Sequence, residues 1–205
     1  HYKMLNLLID SGYAKNIHVS YNTNLSYSKF KKYDLTQLWA NFKKVSIWPS
    51  VEGYGSRVEY ARKGLSWSKF EKHAIMFREH IQTVSCVINI YSITSMPDLI
   101  LWCKRNGFDF YGSTQLEPSY QKVTCLPKES KQQVLAIYKK FIKEYRPILT
   151  TYDLEQIKNW LSYMTSTDES NQLASFKQET ERVDKLRNES FVKTFPEFAS
   201  WYENI

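Results

Sequence analysis

Three cysteines, Cys86, Cys103 and Cys125, are all that this chain of 205 residues contains, and they form no C-x-x-C and no Cys-His cluster. An odd number at wide spacings offers neither a disulfide framework nor a zinc site, and suits the reduced thiols of a cytoplasmic protein. Cys86 and Cys103 fall in apolar patterns and are expected in the core. No run of about 18 apolar residues occurs, so no membrane-spanning helix is expected. A secretory signal pattern is missing as well. The P-loop, the G-x-S-x-G nucleophile turn and H-E-x-x-H are absent, which removes the most readable motifs of nucleotide, acyl-transfer and zinc chemistry. His73 and His80 stand seven apart, which is not metal-ligand spacing, and no internal repeat or low-complexity segment is found.

What is present suits a soluble globular protein: 42% hydrophobic and 24% charged residues, with aromatics high at 16%. The length suits one domain, or one domain with a helical extension. The net charge of +7 invites an anionic partner. The Lys and Arg residues are interspersed with Asp and Glu, however, and no basic block stands out, which argues against nucleic acid.

Two kinds of period alternate along the first 126 residues. Tyr2, Leu5, Leu8 and Ile9 make a helical stripe that stops at Ser11-Gly12. The chain is already inside this pattern at His1, without a cap, and so reads as a fragment. Ile17 to Tyr21 alternates like a strand and exits through Asn22-Thr-Asn-Leu. Asp34 can cap a helix bearing Leu35, Leu38, Trp39 and Phe42. Val45 to Trp48 is a short apolar run ended by Pro49, and from Trp67 a helical stripe runs through Phe70, Ala74 and Phe77. Val84 to Tyr91 and Phe108 to Tyr111 are further strands, with a helix from Pro97 to Gly107 between them. Four strands near residues 17, 45, 84 and 108 alternating with helices imply a parallel α/β sheet with right-handed crossovers. From 127 to 205 the pattern is helical throughout. Its inward stripes are Val134, Leu135, Tyr138, Phe141 and Ile142, then Leu154, Ile157, Trp160, Leu161 and Met164, then Leu173, Phe176, Val183 and Leu186.

In parallel α/β sheets ligands bind at the carboxyl ends of strands. The exit after Trp48 carries Ser50, Glu52, Glu59 and Arg62, a hydroxyl, two carboxylates and a guanidinium. Asn22 and Asn24 leave the preceding strand, and Asn89 lies within the following one. Each has a plainer reading: Asn favours turns through local backbone bonds, and Arg62 can pair with Glu59 three residues away.

The run Ser50-x-Glu52-Gly53, with Glu59 and Arg62 downstream and then Gly64-x-Ser-Trp-x-Lys-Phe, resembles the fourth-strand region of radical S-adenosylmethionine (SAM) enzymes. Those enzymes often show Ser-x-Asp-Gly, His-Asp-x-x-Arg and Gly-x-x-Phe/Trp there. Glu52 stands for the Asp, and Val58-Glu59 for the His-Asp. Thr23-Asn24-Leu25 resembles the Thr-Asn-Gly that ends their third strand, with Leu for Gly. The nearest likeness is to the phage and metagenomic twitch-domain group, and it runs from about Tyr2 to Lys131. It implies the second half of a partial βα barrel, with Ser50 and Arg62 holding the methionine end of SAM, Asn22 and Asn24 second, and Glu52 and Asn89 third. The family's Cys-x-x-x-Cys-x-x-Cys for a 4Fe-4S cluster and its Gly-Gly-Glu-Pro are not in the chain. SAM and the cluster are therefore expected only in a longer protein, this chain alone is expected inactive, and its substrate is unknown. A homodimer through the edge left exposed by the missing strands is the expected partner. Two other classes stay open, a non-enzymatic α/β module binding a peptide or nucleic acid and an ordinary α/β transferase.

Overall fold

The computed structural model describes the backbone of residues 1–205 and every side chain except that of Phe30. The architecture is mixed α/β. After α1 (Tyr2–Asp10) comes β1 (His18–Thr23), then a two-residue antiparallel ladder of β2 (Lys29–Phe30) and β3 (Tyr33–Asp34). Asp34 caps α2 (Leu35–Trp39) by accepting from the Thr36 amide at 3.0 Å, as its position before an apolar stripe leads one to expect. Next come β4 (Lys44–Pro49), α3 (Ser56–Ala61) and α4 (Trp67–Met76), then β5 (Thr83–Ile88), α5 (Met96–Asn106) and β6 (Asp109–Thr114). Gly107, at φ 71, ends α5 in the left-handed conformation that a side chain would strain.

β1 pairs with β4 and β5 with β6, both in parallel. The two pairs meet along a looser seam. Ile47 and Ile81, and Ser50 and Ser85, are isolated parallel bridges, and the Gln82 and Val51 amides donate to the Ile47 and Ser85 carbonyls at 2.9 Å. The strand order is thus β1-β4-β5-β6, and the sheet does not close. Period-two alternation puts Val45, Ile47, Val84, Cys86, Ile88 and Phe110 on one face, where they are buried under the crossover helices. On the other face Ser46 is buried beside His18, but His18, Ser20, Asn22 and Tyr111 are exposed, and Trp48, Ser85 and Val87 half-buried. All-parallel sheets are normally covered on both faces. This one has a bare side.

Residues 127 to 205 are helical, as the periodicity predicts: α6 (Lys128–Tyr145), α7 (Thr151–Ser166), α8 (Leu173–Arg187), α9 (Phe191–Thr194) and α10 (Ala199–Glu203). Two stripe assignments fail. Leu135 and Leu186 point outward, at 38% and 72% exposure, because α6 and α8 each bury a stripe narrower than their apolar residues mark out. The same hydrophobic core runs through the sheet and these helices. Tyr138 of α6 donates to the Ile93 carbonyl at 2.9 Å. No helix of the described residues is long and apolar enough to cross a membrane.

α7 does what a fifth strand would do. Gln156 accepts from the Gly112 amide at 2.8 Å and donates to the Phe110 carbonyl at 3.1 Å, while the Trp160 indole donates to the Gly112 carbonyl at 3.0 Å. The outer edge of β6 is thereby sealed, since open edges invite pairing with other chains. Residue 112 must be glycine for the indole to come so close, because a Cβ there would lie 2.9 Å from Trp160 Cε2 and 3.1 Å from Ile88 Cδ1. Overpacking of this kind costs about 1–3 kcal/mol. Gly112→Ala is expected to lower the melting temperature by about 5 °C, read by circular dichroism, at about 2–4 °C per kcal/mol for a chain of this size.

Candidate functional site

A cavity of about 560 Å³ opens at the carboxyl ends of β4, β5 and β6, roofed by Glu179, Val183 and Arg187 of α8. Glu52, Arg62 and Asn89, three of the six residues singled out from the sequence, line it. Glu52 reaches it because the chain turns at once after β4 through Gly53, at φ 134, packed so close to Ser95 that a Cβ would lie 2.9 Å from the hydroxyl. Arg62 enters from the C-terminal end of α3, its amide donating to the Val58 carbonyl at 2.9 Å.

Arg62 Nη2 donates to Glu52 Oε1. Glu59, the neighbour expected to hold Arg62, instead accepts from the Trp67 amide at 2.8 Å and caps α4. Glu52 Oε2 is buried and has no hydrogen-bond partner among the described residues. Burial pushes the Glu52 carboxyl above its ordinary range, and the charge and hydrogen bond of Arg62 only partly oppose this. The Arg62 side chain is 37% exposed, and Glu52 is the one acceptor of its guanidinium among the described residues, so it keeps N–H groups for a further anion.

Asn89 is in the wall, but its side chain is largely consumed. Its Oδ1 accepts from the Tyr91 and Ser92 amides at 2.9 and 3.1 Å, and its Nδ2 donates to Gln115 Oε1 at 2.6 Å. Gln115 passes the chain on to Gln121 at 2.8 Å. The plainer reading therefore holds for its oxygen, and its role is to shape the loop after β5. The remaining three residues lie outside the cavity. Ser50 donates its amide to the Thr23 carbonyl at 2.8 Å and stands half-buried beyond the end of β4. Asn22 is exposed on the bare face of β1. Asn24 closes a turn on itself, accepting from the Ser26 amide at 3.2 Å and hydroxyl at 2.8 Å.

Tyr60, Tyr91, Gln115 and Arg187 were not anticipated. Tyr60 donates its hydroxyl to Asp184 at 2.8 Å, and its phenol is raised by burial and then by that carboxylate. Burial likewise pushes Tyr91 up to about 12. Both stay neutral donors at physiological pH. Gln115 directly follows the end of β6 at Thr114. Arg187 carries no local signal, since only the folding of α8 over α3 brings its guanidinium to the Tyr60 carbonyl, at 3.1 Å.

The cysteines do not fit an iron–sulfur cluster, which is held by thiolates. Cys86, Cys103 and Cys125 sit on β5, on α5 and in the loop before α6, all buried, with burial pushing every thiol up. No three His, Cys, Asp or Glu side chains among the described residues converge as a metal site. No family model matches the chain, and neither does any curated protein or solved structure.

A carboxyl raised on folding stabilises the fold below its unfolded value and loses that contribution as pH rises through the folded one. At neutral pH the Glu52 charge is therefore a cost, of the kind an unsatisfied buried acceptor imposes, about 1–3 kcal/mol. Glu52→Gln is expected to raise the melting temperature by about 2–4 °C at pH 7. The gain should shrink toward zero near pH 4. Scanning calorimetry at the two pH values checks both the sign and the pH dependence.

Proposed function

We propose that the chain is the C-terminal part of a SAM-binding partial βα barrel of the radical SAM type, and that its cavity receives the methionine end of SAM. The Glu52–Arg62 pair carries the reading: a buried carboxylate oxygen that lacks a donor stands beside a guanidinium with donors to spare. An α-amino acid presents an ammonium and a carboxylate on one carbon, which answers both needs at once. Leu25 adds support. It occupies the place of the family's glycine and holds φ 53, the conformation glycine favours. Val87 and Ser113 line the cavity and belong by alternation to the bare sheet face, so that face leads from the cavity down toward Ser50 and Asn22. The nucleoside end of the ligand would lie along it.

The residues present hold no iron–sulfur cluster, and no SAM-cleavage step is assigned to this chain. Its part is to bind and orient. Calorimetric titration of the 205-residue chain with SAM should show weak binding, and Arg62→Ala should weaken it tenfold or more, since a charge-assisted contact is worth about 1.5–3 kcal/mol. Tight binding that Arg62→Ala leaves unchanged would contradict the proposal.

Among the described residues β1 has a ladder partner on one side only, β4. On α1 and in the turn that follows it, Met4, Leu7 and Tyr13 are 55%, 68% and 67% exposed. In this reading β1 is where the sheet continues, and in the chain alone a second copy covers it as a twofold homodimer. Light scattering at micromolar concentration should give about twice 24.4 kDa. A monomer with folded near-ultraviolet signals would reject self-association.

A further inference from the structure

The charges are less evenly mixed than they first look. Residues 1–80 hold 13 Lys and Arg against 6 Asp and Glu, whereas residues 81–205 hold 15 of each, so the whole excess of +7 lies in the first 80. This corrects the expectation that no segment is distinctly basic. Before Glu52 the acidic residues are Asp10 and Asp34 alone. Asp34 is already engaged by Lys29 at 3.0 Å and by Thr36.

A groove of about 510 Å³ lies between α1 and the β2–β3 ladder, lined by Tyr2, Lys3, Lys31, Lys32 and Tyr33 together with His1. The Tyr2 and Tyr33 rings stack, 5.5 Å apart and 16° from parallel. Lys32 Nζ stands 5.6 Å from the Tyr33 ring centre. Lys3, Lys31 and Lys32 are exposed. Stacked aromatic faces with cations along the rim are what successive bases and phosphates of a single strand require. A duplex hides its base faces and would meet only the lysines.

We propose that this groove binds single-stranded nucleic acid, with a base continuing the Tyr2–Tyr33 stack and phosphates running along Lys3, Lys31 and Lys32. The site is separate from the cavity at the strand ends and does not depend on its reading. Fluorescence anisotropy of the 205-residue chain with a labelled 12-nucleotide oligothymidine tests it. Three phosphate contacts on a single strand give a salt slope near −2, so affinity should fall about twentyfold between 50 and 200 mM salt. Joint Lys3→Glu, Lys31→Glu and Lys32→Glu should weaken binding at least tenfold. Joint Lys139→Glu, Lys140→Glu and Lys143→Glu, the same charge change on α6, should leave it within twofold. Ultraviolet crosslinking of the unaltered chain, which is independent of how any variant folds, should map to Tyr2 or Tyr33. No binding at 50 mM salt, equal loss in both triple variants, crosslinks confined to other residues, or stronger binding to duplex or to anionic lipid vesicles would each overturn the proposal.

Discussion

Everything in the C-terminal part of the chain depends on how the backbone of β6 finds partners on its outer side. Gln156 supplies an acceptor and a donor in the positions where a neighbouring strand would, and Trp160 takes the next carbonyl. A buried strand edge without such partners would leave several polar groups unpaired, at about 1–3 kcal/mol each. This arrangement fixes α7 against the sheet, and α6 packs on α7.

Two carboxylates, Asp153 and Glu52, are treated in opposite ways. Asp153 is also pushed up by burial, but Lys104 at 2.6 Å and the Thr150 hydroxyl at 2.7 Å more than reverse this and hold it below its ordinary range. It closes the capping box of α7, and the Thr150 amide, the Thr150 hydroxyl and the Lys104 ammonium all converge on its Oδ2. Glu52 has one partner and one bare oxygen, and burial wins. A group held at a cost, beside a cavity, is where a fold stores binding capacity.

Much of this was legible in the sequence because it is local. The strands and most helices follow from periodicity, Asp34 and Gly107 from cap chemistry, and Glu52 and Arg62 from their place after an apolar run. α3 leaves no mark in the periodicity, because Ser56 to Ala61 is too short for a helical period to show. The assignments of Ser50, Asn22 and Asn24 assumed that groups near a strand end share one cavity. Backbone geometry sorts them instead: Asn22 points to the bare face, and Asn24 bends back to Ser26. Arg187, the Tyr60–Asp184 bond and the Trp160 seal were illegible because each joins segments far apart in the chain, and no window of sequence contains both partners.

Those distant bonds set an order of events. α3 forms one wall of the cavity, and its polar ties reach far downstream: Tyr60 to Asp184, Lys63 to Glu189, and Arg57 in a two-pronged pair to Glu197. The separations are 124, 126 and 140 residues. Contacts so distant in sequence form late, since closing the loop between them costs entropy that nothing local repays. On a ribosome the sheet can assemble while α3 is still unanchored, and the wall locks only after residues 184–197 have emerged. The cavity is then a checkpoint in time as well as a place in space: its walls are complete only on a polypeptide whose helical region has already docked.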